Sequence, residues 1–391
     1  MRLSEHKEVP TWHGRRQNGG GMKKGMFVVV ACIATCLSVA QANAQSSVTL
    51  YGVLDGGMTY ANNVRGEKQI QANGGGLFGE RWGIKGLEDL GGGVRTIFTL
   101  EGGFTSSTGA LGQGGLEFGR QAFIGVTSEK SGALTLGRQY DSIADTLAYY
   151  GSGLMYNGYY TVHLGDFDHL AGERTNSSVK YVSPSFGGFT FQAMYGFGGV
   201  PGSIATGSTI GAGLKYAANG LTFGLATLTV RNANVDLNST FGITNLDGVS
   251  FSVGKNLLQT SSLAIYGVGG SYALGNATIS AVYTQTHANK TSVSGKKFGT
   301  LIARIGELGI TYQVTASLMV GMDYTYTKLG QFMWQEPGLA FHYFLSKKTD
   351  VYAAAAYQHA FGAAQYANIF TVGSSSTENQ VVARIGLRHF F

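Results

Sequence analysis

Arg138 and Arg174 bracket a stretch of chain that carries Asp141, Asp145, Asp166, Asp168 and Glu173. Carboxylates held on such a segment, facing guanidinium groups across a narrow aqueous gap, would set up a transverse field. That field orders water, orients dipolar solutes and biases which ions enter. Two unit charges 4 Å apart interact by about 1 kcal/mol in bulk water and about 4 kcal/mol at an effective dielectric of 20. Chemistry of this kind sorts solutes without converting them. Residue patterns that would convert them are missing from the sequence: there is no Ser-elbow pentapeptide, no His-Glu-x-x-His and no phosphate loop ending in Lys-Ser/Thr. His163, His169, His287, His342, His359 and His389 are scattered, so no metal site or cofactor is expected. The pairs Asp166/Asp168 and Asp236/Asn238 are too few oxygens to argue for calcium.

The elements that position those charges read as β-strands. Residues 134–140 and 176–181 flank about forty residues without period, a length that is uncommon for a connection and usually functional. From Val48 onward the chain alternates with period two. Phe189, Phe191, Ala193 and Tyr195 alternate with Thr190, Gln192 and Met194. Met322, Tyr324 and Tyr326 alternate with Asp323, Thr325 and Thr327. Ile385, Leu387, His389 and Phe391 alternate with Arg384, Gly386, Arg388 and Phe390. Successive side chains on a strand point to opposite faces, so each segment has an apolar face and a wetter one.

The connections alternate between short turns (at 90–92, 130–132, 185–187, 219–220, 275–276 and 347–349) and longer stretches. The longer ones are expected near 61–79, 105–115, 141–175, 198–207, 232–260, 288–299, 329–333 and 361–378. The segment 249–254 is placed inside a long loop, because an even strand total returns both ends to one side. The expectation is an all-β fold: a transmembrane antiparallel β-barrel of about 16 strands, with the 141–175 connection folded into the lumen to narrow it. Closure follows from the solvent, since backbone amides in hydrocarbon have no water to bond.

Composition agrees. The chain has 391 residues, of which 13% are charged, against about 25% in soluble domains. Residues 1–44 read as a signal peptide: Lys23-Lys24, an apolar run from Met26 to Leu37, and Ala42-Asn43-Ala44 before cleavage. Residues 1–21 read either as an upstream mis-start ahead of Met22 or as a long n-region. Arg2, Lys7, Arg15, Arg16, Lys23 and Lys24 lie there against Glu5 and Glu8, so most of the formal charge of +6 leaves with the leader. A nucleic-acid partner thereby loses its support. Cys32 and Cys36 leave too, which excludes disulfides and thiol chemistry from residues 45–391, read as a single barrel domain.

Several segments carry a resemblance to a known family. They are residues 46–55 (SSVTLYGVLD), 81–93 (RWGIKGLEDLGGG), 119–125 (GRQAFIG), 135–141 (TLGRQYD), 176–181 (NSSVKY) and 386–391 (GLRHFF). In this the chain resembles the trimeric general porins of Gram-negative outer membranes, β-proteobacterial type. The resemblance implies a 16-stranded barrel, a homotrimer, a third loop folded inward, and passive diffusion of ions and small hydrophilic solutes through a water-filled pore. A substrate-specific outer-membrane channel is the alternative.

It also implies site residues. The basic wall matches Arg81, Arg120 and Arg174, and the acidic patch matches 163–168. Asp166 and Asp168 are therefore the first choices, with Asp141 and Asp145 next. Phe391 resembles the terminal signal read by the barrel-assembly machinery. Strand parity adds Lys85 to the face of Arg81, and sets Arg95, Arg384 and Arg388 toward the lumen. Arg138 is in phase with Leu134 and Leu136, so only a bulge would turn it inward. Arginines outnumbering carboxylates at the narrowest point imply a weak anion preference. Lipid and lipopolysaccharide are the expected surroundings, and an outer-membrane enzyme or an adhesion protein are the rival classes.

Overall fold

A computed structural model gives the structure of residues 46–151, 156–162 and 167–391. The expected signal peptide, together with His163 and Asp166, lies outside the described residues. The chain from Ser47 to Phe390 forms a closed 16-strand antiparallel β-barrel. Its strands are β1 (Ser47–Val64), β2 (Glu67–Gly74, continued by Arg81–Gly91), β3 (Val94–Gly103), β4 (Gln121–Ser128), β5 (Gly132–Tyr140) and β6 (Arg174–Val182). Then come β7 (Phe189–Gly196), β8 (Thr209–Ala218), β9 (Leu221–Arg231), β10 (Ser262–Leu274) and β11 (Ala277–Val293). The last are β12 (Lys296–Gln313), β13 (Leu318–Leu329), β14 (Phe332–Phe344), β15 (Thr349–Gly362) and β16 (Asn379–Phe390).

The first and last strands seal the cylinder, in register from Val53 opposite Phe390 to Ala61 opposite Val382. Beyond that ladder Gly52 and Phe391 exchange backbone hydrogen bonds of 3.3 and 3.1 Å. Alternation is explicit in the burial. On β13, Met322, Tyr324 and Tyr326 are exposed while Asp323, Thr325 and Thr327 are buried. A belt of exposed Leu, Ile, Val, Phe and Tyr covers the outside, far more apolar surface than a water-soluble monomer presents. No helix among the described residues is long and apolar enough to cross a membrane, and the strands do so instead.

Three stretches expected as long loops are strand hairpins. Near 61–79 the chain reverses at Arg65-Gly66, with φ of 56° and 104°, and Glu67–Gly74 pairs straight back onto β1. Near 288–299 it reverses at Ser294-Gly295, and near 329–333 at Gly330. β11 and β12 are 17 and 18 residues long, whereas about 9–11 residues cross the hydrocarbon. In the surplus, Ala288 and Val293 pack on a cluster with Leu237, Phe241 and Leu258, between polar Asn289, Lys290, Thr291 and Ser292, so its mixed composition reads as loop although its backbone is paired. The segment 249–254 does sit in a loop, where Val249–Ser250 pairs only with Asn245–Leu246 in a separate small sheet.

β2 is broken at 75–80, immediately after Gly74. The buried Asp55 carboxylate fixes the break: its Oδ2 accepts the backbone N–H groups of Leu77 and Phe78 at 2.7 and 2.8 Å. Amides that would otherwise lose their ladder partners are satisfied there, and Phe78 leaves the strand line.

Candidate functional site

The connection after β5 begins with a helix, α1 (Ser142–Leu147). Asp141 caps it, its Oδ1 accepting from the N–H groups of Ile143 and Ala144 at 2.9 and 3.0 Å. Its Oδ2 lies 2.7 Å from His169 Nδ1. Ile143, Leu147 and Tyr150 bury their side chains in a cluster with Leu228 and Ile265 of β9 and β10. Further on, the Tyr156 hydroxyl donates to the Met322 carbonyl at 2.6 Å and the Asn157 amide to Asp323 at 2.6 Å. The Tyr160 hydroxyl meets that of Thr59 at 2.9 Å, and Thr284 donates to Asp168 at 2.5 Å. Gly158 has a φ of +72°, and a Cβ there would lie 2.5 Å from Leu77 Cα. One connection therefore bonds to β1, β11 and β13, far around the ring from β5 and β6.

Side chains from this connection, from the break in β2 and from β16 line a recess of about 400 Å³. Arg81, Arg120 and Arg388 bring guanidinium groups to it, Asp145 a carboxylate, and Phe78, Tyr140, Tyr159 and Phe390 aromatic rings. Arg120 is buried. Its Nε donates to Glu101 at 2.8 Å and its Nη2 to the Tyr140 hydroxyl at 2.6 Å. Arg388 donates from Nε and Nη2 to both oxygens of Asp350, at 2.9 and 3.3 Å. Arg81 bonds through Nε to the Gly79 carbonyl at 2.9 Å and lies 4.7 Å over the Phe78 ring. Its terminal nitrogens have no hydrogen-bond partner among the described residues. Lys180 donates to Asp145 at 2.5 Å. Burial pushes the Asp145 carboxyl above the ordinary carboxylate range, with the Lys180 ammonium pulling the other way. Three of the four charged groups at the recess thus have a dedicated counter-charge, and Arg81 supplies the surplus.

The remaining candidates are placed elsewhere. Arg174 stacks 4.8 Å over the Tyr140 ring and donates to its hydroxyl at 3.2 Å, beside the recess. Arg138 bonds the Gly119 carbonyl and Asn176 at 2.8 and 2.5 Å; the register does shift next to it, between Gly137 and Gln139, yet Arg138 does not line the recess. Lys85 is exposed, its ammonium 5.3 Å from the Tyr51 ring. Arg95 sits at the turn end of β3, 3.4 Å from Glu129. Arg384 is fully buried and spent on Tyr352, Thr59 and Asn73. Asp141 and Asp168 are both buried, with carboxylate oxygens committed to the cap, to His169 and to Thr284. They hold the connection in place and present no free acidic wall. Asp145 is the described carboxylate that lines the recess. The sequence reasoning missed Glu101, Asp350, Tyr140 and Phe78. Glu101 could have been found from parity, since it shares a strand face with Arg95 and Thr99.

Comparison with known proteins bears on this arrangement. Residues 29–362 match the family described as Gram-negative porin. An outer membrane porin protein of Bordetella pertussis is 29% identical over 95% of this chain and 100% of its own length. Among solved structures, the anion-selective porin from Comamonas acidovorans superposes with a TM-score of 0.70 at 23% identity, covering 89% of this chain and 100% of that one. The trimer form of OmpT, an outer membrane protein of Vibrio cholerae, does so with a TM-score of 0.62 at 16% identity, covering 88% and 99%. The alternating barrel, its apolar outer belt and the family match lead to one conclusion: the chain belongs to the Gram-negative porins, outer-membrane β-barrels enclosing a water-filled channel.

Proposed function

We propose that this porin passes small hydrophilic anions in modest preference to cations, and that the recess beside Arg81 is its narrow section. In this reading the described parts of the connection after β5 (141–151, 156–162 and 167–173) lie in the lumen, Arg81, Arg120 and Arg388 form the basic side of the opening, and Asp145 forms the acidic side. The observation that carries it is the charge balance among the described residues: Glu101, Asp350 and Lys180 pair with Arg120, Arg388 and Asp145, leaving the Arg81 guanidinium without an ion pair. Its field attracts anions and repels cations over roughly a Debye length, about 8–10 Å at 0.1–0.15 M salt. Arg174, Lys85 and Arg95 contribute a weaker background. The anion selectivity named for the Comamonas porin and the trimer named for the Vibrio protein support the same reading, with the homotrimer as the working unit. Phe391, closing the seam against Gly52, is the group proposed for recognition by the barrel-assembly machinery.

The test is the reversal potential of the protein reconstituted in a planar bilayer under a potassium chloride gradient. A chloride preference supports the proposal; a cation preference refutes the charge balance.

A further inference from the structure

An opening that serves only small inorganic anions needs positive charge and water, and aromatic walls work against it because such an anion at the negative face of a ring loses hydration with nothing in return. The recess is nevertheless walled by rings. Phe78 and Phe390 meet edge to face at 5.9 Å. The Arg81 and Arg388 guanidiniums lie 4.7 and 5.6 Å over the Phe78 ring. Tyr159 stands edge-on against Phe370 at 6.0 Å, and Ala144 and Ala148 leave space on the side of α1. Phe78 is there by design of the backbone. β2 is interrupted to release it, and the buried carboxylate of Asp55 holds its N–H.

We infer that the recess is a binding subsite for small aromatic monocarboxylates. The carboxylate would pair with the two terminal nitrogens of Arg81, which bond to no described residue, and the ring would lie among Phe78, Phe390 and Tyr159. This rests on the reading of the recess as the narrow section of an anion-preferring channel. The charge fits a monoanion, since among the described residues a single guanidinium at the recess is left without an ion pair. Its planar fork suits two parallel bonds to a carboxylate. The volume of about 400 Å³ falls within the roughly 300–1,000 Å³ of small-ligand sites. Aromatic pairs prefer edge-to-face or offset contacts, and Phe78 and Phe390, already at an angle to each other, offer such an edge and face to a third ring. Acetate would make the same ion pair and none of the ring contacts.

The experiment measures chloride current through the wild-type protein in a planar bilayer while benzoate, acetate or benzyl alcohol is titrated in. The expected result is saturable block by benzoate with half-effect at about tenfold lower concentration than acetate, about 1.4 kcal/mol, and no block by benzyl alcohol. In F78A the benzoate-to-acetate ratio falls toward one, and in R81Q block by both is lost. If F78A does not assemble, the wild-type ratio decides alone. Equal potency of benzoate and acetate in a chloride-preferring channel would overturn the subsite and leave the anion-channel reading standing. A channel without chloride preference would remove that reading and the subsite with it.

Discussion

Replacing Arg81 with glutamine isolates the one guanidinium at the recess that forms no ion pair with a described carboxylate, Glu101 being bonded to Arg120. An ion passing about 6 Å from the guanidinium interacts with it by about 0.7 kcal/mol in the bulk-water limit. Anion and cation feel opposite signs, so their relative barrier changes by about 1.4 kcal/mol, or about tenfold in the permeability ratio. A lower effective dielectric would enlarge the change, and salt would reduce it. At 1 M the screening length is about 3 Å and most of the effect should vanish. The barrel itself should tolerate the change, because Arg81 gives up one hydrogen bond, worth about 1 kcal/mol, and its stacking on Phe78. The assay is reversal potential of Arg81→Gln against wild type at about 0.1 M and about 1 M salt. A reversal potential that did not move toward the cation value at low salt would refute the argument, as would a shift of the same size at high salt.

Three further outcomes follow from the same geometry. Arg120→Gln removes the ion pair of the buried Glu101, which keeps only the Tyr51 hydroxyl as a side-chain donor among the described residues, and should cost about 3 kcal/mol. It should therefore unfold at lower temperature on heating in detergent, and adding Glu101→Gln should restore much of the loss. Asp145→Asn removes the one described carboxylate of the recess and should strengthen chloride preference. Since burial raises the Asp145 carboxyl, falling pH should neutralise it above the usual carboxylate range. Wild-type anion preference should therefore grow on acidification while the variant's stays flat; parallel profiles would argue against Asp145 at the opening. Gly158→Ala combines a left-handed backbone with a Cβ 2.5 Å from Leu77 Cα. It should displace the connection and alter single-channel conductance, and an unchanged conductance would show that this contact does not set the opening.

How much of this was legible beforehand depended on what imposed it. The bilayer imposes alternation, so the faces of Met322 to Thr327 and of Arg384 to Phe391 could be read residue by residue. The strand count survived even though three loops were hairpins, because a hairpin extended into water still makes one reversal. Pairing was not legible. Arg120 and Glu101 are 19 residues apart and Arg388 and Asp350 are 38 apart, and no local pattern records such partnerships. The acidic segment shows the same limit: Asp141 precedes Ser142 as a cap would, yet only the fold reveals that its second oxygen belongs to His169. The break at 75–80 was visible merely as Gly74-Gly75-Gly76; that it presents Phe78 follows from Asp55, twenty-three residues earlier.

The seam between β1 and β16 sets the timetable of assembly. Val53 finds Phe390 only after nearly every other stave has been delivered, and contacts so distant along the chain form slowly. Until then the sheet has two raw borders whose unpaired amides would join any neighbouring chain. A version lacking its final stave is accordingly no narrower cylinder but an open ribbon with adhesive margins. Only the meeting of first and last staves removes both margins at once, so closure and protection from neighbouring chains are a single event.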